Sequence, residues 1–104
     1  MGRPRSESVY DEKFGNVARV LLTLYSHDMR GVKLSIAELQ AASGVSKSVY
    51  YGHLYKNLLA AGLIREEKTP NKTYVHLTEK GKEFAKCLAR VADILGLKGL
   101  LEQT

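Results

Sequence analysis

The chain is short of cysteine, of carboxylates and of long apolar runs, and each shortage removes a class of protein. One thiol, Cys87, stands in 104 residues. It can form neither an internal disulfide nor a zinc site. Cys87 is read as a small buried apolar residue rather than a redox centre, and a reducing compartment fits it. No stretch approaches the roughly 20 apolar residues of a membrane-spanning helix, and no signal-peptide core follows Met1. A cytoplasmic, nucleoid-associated protein without a membrane partner is expected. Eleven Asp and Glu face sixteen Lys and Arg, a formal net charge of +5. That surplus favours a polyanion as partner.

Catalytic chemistry is missing as well. No nucleophile stands beside a base at readable spacing, no Gly-rich loop could cradle a phosphate, and no carboxylate pair has an evident task. His27, His53 and His76 fall on three different elements and form no ligand set. Neither an enzyme nor a metal or cofactor is expected.

What remains is ordinary globular material, 44% hydrophobic and 26% charged, enough for one domain. A chain this short buries a limited fraction of its surface, so dimerisation would add burial. Residues 1–10, MGRPRSESVY, are polar, with Gly2 and Pro4, and predict a flexible basic arm. Residues 11–95 form the domain, and 96–104, with Leu97, Leu100 and Leu101, an apolar tail.

Within the domain the periodicity changes in a fixed order. From Asp11 to His27, Phe14, Val17, Ala18, Leu21, Leu22 and Tyr25 fall at helical spacing. Val20 and Leu24 widen that stripe to two sides. Lys33-Leu34 offers a short strand. Ser35-Ile36-Ala37-Glu38 is a capping box for a two-turn helix that Gly44 ends. Ser46 caps a third helix, with Leu54, Leu58 and Ala61 inward, Tyr50 or Tyr51 one turn earlier, and Gly62 as its stop. LIREEK and TYVHL flank Thr69-Pro70-Asn71-Lys72 and read as a β-hairpin. Thr78 caps a last helix over 79–95, with Phe84, Cys87, Leu88, Val91, Ile94 and Leu95 at three- and four-residue steps.

The segments SIAELQAASGVSKSVYYGHL, LLAAGLIREE and VHLTEKGKEF, in that order, resemble a winged helix-turn-helix DNA-binding domain of MarR- or PadR-like type. The resemblance covers roughly Phe14 to Leu95. It implies a mainly α fold with a small β-hairpin (α+β) and an extra C-terminal dimerisation helix. In one place the chain departs from the common pattern. Between His53 and Ile64 it is one residue longer, which leaves the register of the third helix open by one position.

With Leu54 set inward, Ser48, Val49, Gly52, His53 and Lys56 fall on the far side of that helix. That polar, small, partly basic face suits a DNA major groove. Ser46, Lys47 and Ser48 stand at its N-terminus, where free N–H groups favour phosphate. Tyr51 and Tyr55 flank the face, with hydroxyls available to the backbone. Lys68 and Lys72 would carry the wing's phosphate contacts, and Arg3 and Arg5 those of the arm. Phe84, Cys87, Leu88, Val91, Ile94 and Leu95 would form the dimer interface. The expected partners are double-stranded DNA and a second copy, with higher order on DNA left open. The expected function is sequence-specific regulation of transcription, with repression as its mode. The alternatives are a DNA-organising or partition protein that spreads on DNA, and a winged-helix protein-interaction module.

Overall fold

A computed structural model describes residues 5–94. Helix α1, Arg5–Met29, leads to strand β1, Leu34–Ser35, and helix α2, Ile36–Ser43. Helix α3 spans 47–60 and changes winding on the way. Lys47–Val49 is α-helical, Tyr50–Leu54 forms a π-helical turn, and Tyr55–Ala60 is α-helical again. Strands β2, Ile64–Lys68, and β3, Thr73–Leu77, follow, then helix α4, Glu79–Ile94. The fold is mainly helical with one small antiparallel sheet, as the periodicity predicts.

The sheet order is β1-β3-β2. Leu34 pairs with Val75, and the hairpin runs from Ile64 opposite Leu77 to Lys68 opposite Thr73. Leu34, Ile64, Val75 and Leu77 alternate onto the buried face. They meet Val20, Leu21 and Leu24 of α1, Leu39 of α2, and Tyr50, Leu54 and Leu58 of α3. Val20 and Leu24 are as buried as Leu21, so α1 is covered on two sides.

One boundary differs from the sequence reading. The arm expected over 1–10 is shortened, because α1 already includes 5–10. Nothing local forbids it: Pro4 precedes the helix, and Ser6 to Tyr10 hold neither proline nor glycine. Arg5 is therefore the first residue of α1 rather than part of a free tail. Arg3, Leu95 and the tail 96–104 lie outside the described residues.

The last turn of α3 is tied to the first turn of α4. Gly62, at φ 75°, donates to the Leu59 carbonyl and Leu63 to that of Leu58, closing the helix in a Schellman arrangement. The next carbonyls are then claimed by α4. Lys80 Nζ bonds Ala61 O at 2.8 Å, the Thr78 hydroxyl donates to Gly62 O, and Thr78 N–H reaches Leu63 O at 3.1 Å. Thr78 also caps α4 through Gly81 N–H at 3.0 Å, as its position predicts.

Candidate nucleic-acid interface

Polar side chains and one glycine fix α2 and the turn that leads from it to α3. Ser35 and Glu38 form the predicted capping box, at 3.2 Å and 2.9 Å. Gly44 leaves α2 at φ 75°, a conformation that favours glycine. Gln40 Nε2 donates to Val45 O at 2.6 Å, and Ser43 Oγ to Gln40 O at 2.9 Å. These bonds drive Val45 into the core and start α3 at a fixed angle. Gln40 and Ser43 were not singled out in the sequence, because a polar residue that stitches a turn looks like any surface residue.

Along α3 the structure settles what the sequence left open. Tyr50 is the inward tyrosine: it is fully buried, and its hydroxyl donates to Ile36 O at 2.8 Å. Tyr51 is exposed and meets Tyr50 edge to face, centroids 4.9 Å apart. The surplus residue is absorbed by the π turn, in which Tyr55 N–H reaches back to Tyr50 O.

Three placements on α3 are corrected. Tyr55 does not flank the groove face with a free hydroxyl. The wider turn brings it beneath the helix, where it is buried and donates to Glu66 Oε2 of β2 at 2.6 Å. Burial, with the Glu66 hydrogen bond adding to it, pushes the Tyr55 hydroxyl well above the usual tyrosine range. Val49 is half-buried against the core rather than fully outward. Ala61, expected inward, ends up exposed at the helix end.

The remaining α3 candidates share one open surface. Ser46, Lys47, Ser48, Tyr51, Gly52, His53 and Lys56 are all exposed. An added Cβ at Gly52 would meet nothing within 4 Å. The Ser46 hydroxyl is partly used, accepting Val49 N–H at 3.4 Å. Asn57, one turn beyond His53, extends the same surface and was missed. Its four-residue step from His53 was the available signal.

The wing turn is closed by Thr69. Its N–H and hydroxyl both donate to Lys72 O at 2.8 Å, and Lys72 N–H returns to Thr69 Oγ1 at 3.1 Å. Lys68 is exposed. Lys72 is not free: its Nζ lies 3.1 Å from Glu38 Oε2 on α2. Behind the turn, Glu67 Oε1 accepts from His76 Nε2 at 2.7 Å and faces Lys33 Nζ at 3.5 Å. The His76 hydrogen bond, with the Lys33 charge behind it, holds the Glu67 carboxyl below the usual range.

The candidate interface residues on α4 divide. Leu88 packs against the monomer core. Phe84, Cys87, Val91 and Ile94 are exposed, Ile94 by 75%. The core side of α4 is made instead by small residues, Gly81 and Ala85.

Known structures share this architecture. AF1382 from Archaeoglobus fulgidus matches with a TM-score of 0.70 at 21% identity, over 88% of this chain and 97% of that one. MepR, a transcription regulator of the Staphylococcus aureus multidrug efflux pump MepA, matches with 0.66 at 19% identity, over 86% of this chain and 64% of its own. F93 from STIV, a winged-helix DNA-binding protein, matches with 0.56 at 25% identity, over 68% of this chain and 83% of that one. No curated protein matches significantly. The fold these structures share with the chain is the winged helix. The ArnR1-like winged-helix domain model matches residues 6–95, and the chain belongs to that family.

Proposed function

We propose that the protein is a homodimeric transcription regulator that reads double-stranded DNA with α3 and grips the backbone with its wing. The carrying observation is the open surface of α3. Lys47, Ser48, Tyr51, Gly52, His53 and Lys56 stand exposed on the second helix of a helix-turn-helix, while Tyr50, Leu54, Tyr55 and Leu58 anchor the other side. Hydroxyls, an imidazole and ammonium groups can donate to guanine edges and phosphates. The bare Gly52 backbone permits close approach. Lys68 adds a cation at the hairpin, and base contacts from α3 would supply the specificity that phosphate contacts lack.

The second copy is supported by the inverted make-up of α4. Gly81 and Ala85, with part of Leu88, face the core, while Phe84, Val91 and Ile94 face outward. Phe84, Cys87, Leu88 and Val91, flanked by Lys80 and Glu83, line a shallow apolar groove. Two-fold pairing through this face would present two α3 helices to half-sites about one DNA turn, ~10 bp, apart or a multiple of it.

Selection of bound fragments from fragmented genomic DNA, with footprint lengths, tests the proposal. Short recurrent palindromes are the expected result, and repression is then checked at the neighbouring promoters. Long spreading footprints would replace regulation with DNA organisation. Absence of enrichment at low salt would overturn DNA binding and leave a protein-interaction module.

A further inference from the structure

Glu38 and Lys72 are 34 residues apart, yet both ends of their contact are fixed. Lys72 sits in a turn whose backbone is closed by three hydrogen bonds to Thr69. Glu38 is held by the capping box: Oε1 accepts Ser35 N–H at 2.9 Å, which leaves Oε2 for the Lys72 ammonium at 3.1 Å. Capping does not require the negative charge, since a glutamine amide oxygen accepts the same N–H. The charge is therefore free to act on Lys72. Lys68, on the same hairpin, has no side-chain partner among the described residues.

We infer that Glu38 is a built-in counter-ion for the wing, occupying on Lys72 the place a DNA phosphate would take and so restraining affinity for DNA. The inference rests on the DNA-binding reading above. A carboxylate beside Lys72 cancels its charge locally and repels an approaching phosphate. Both side chains are about half exposed, 46% each, so the pair is open to exchange rather than sealed. A phosphate delivered by a well-seated duplex can displace Glu38. A loosely held duplex meets one free wing lysine instead of two. Glu38 thus trims the sequence-independent part of binding, which lysine–phosphate contacts dominate.

The test titrates mixed-sequence duplex DNA with the full chain and with E38Q, K72Q and the double variant, over a range of salt. Glutamine keeps the cap, so E38Q should fold as the parent does, and thermal melting checks that. An exposed ion pair of ordinary strength predicts that E38Q binds about two- to fivefold tighter at low salt. K72Q should bind more weakly, with a salt slope smaller by up to ~0.9, the value of one phosphate contact. In the K72Q background, E38Q should bring no gain. That last arm separates a counter-ion from the simple loss of a negative charge. The inference is overturned if E38Q binds no tighter than the parent, or if its gain persists in full without Lys72. If the parent itself binds no duplex at low salt, the DNA-binding reading falls and the counter-ion with it.

Discussion

An added Cβ at Gly81 would run into the Leu63 carbonyl oxygen and stand 3.1 Å from Leu77 Cδ2. That oxygen is also the acceptor for Thr78 N–H, so it cannot retreat without loss. Gly81→Ala should cost about 1–3 kcal/mol, the usual range for overpacking, read as a lower urea midpoint at unchanged slope. Thr23 runs the other way. It is fully buried in α1, and its hydroxyl has no hydrogen-bond partner among the described residues. Thr23→Val keeps the shape and removes an unpaired polar atom, so it should raise stability by about 1 kcal/mol, and a fall would mean the hydroxyl is satisfied after all. Neither residue was legible in the sequence. Gly81 reads there as one letter of a Leu-Thr-Glu-Lys-Gly run, and Thr23 as one polar position in a helix. Close approach and burial are facts about partners distant in sequence, and single-residue chemistry does not carry them.

Elements were far more legible, because their signals are local. The capping box, the glycines ending α2 and α3, the Thr69–Lys72 turn and the Thr78 cap all stand where short-range chemistry puts them. The exception is the π turn. It showed only as one surplus residue, and a uniform 100° wheel then left Tyr55 at the flank of α3 instead of beneath it. Gly52 lies within that turn, exposed and with open space around it. Gly52→Ala should therefore stabilise the folded chain by up to about 1 kcal/mol while weakening binding to its DNA site. Stability and affinity moving in opposite directions would place the cost of Gly52 on groove approach. If both rise together, the backbone there does not meet DNA. The hairpin makes a pH prediction. Glu67 has its folded pKa below the ordinary 4.5, chiefly through His76. Its contribution to stability is present above that ordinary value and is lost as pH falls through the lower folded one. Glu67→Gln should flatten the acid limb of a thermal-melt pH profile, and an unchanged limb would mean the pairing adds nothing to the fold.

For the whole molecule, the bonds between α3 and α4 decide what a dimer would do. Carbonyls at Ala61, Gly62 and Leu63 accept from Lys80 and Thr78, so the end of α3 is tied to the start of α4. If two copies pair through α4, the separation of their α3 helices follows from that rigid joint, and half-site spacing becomes a property of the α4 interface. The sequence already showed an apolar stripe on α4 but could not say which part serves the monomer. Burial divides it: Leu88 and Ala85 go to the core, and Phe84, Val91 and Ile94 stay outside. Val91 is 53% exposed in the single chain, so Val91→Glu should leave the monomer's fold and melting profile nearly intact. In sedimentation the parent should run as a dimer and the variant as a monomer. Binding to a palindromic site should weaken by two orders of magnitude or more, because the second half-site is no longer held at high effective concentration, whereas binding to an isolated half-site should barely change. A parent that sediments as a monomer, or a variant that stays dimeric, would move the two-fold axis off this face. The spacing between half-sites would then have to be set by another part of the chain, and the α3–α4 joint would serve only to fix α3 on its own core.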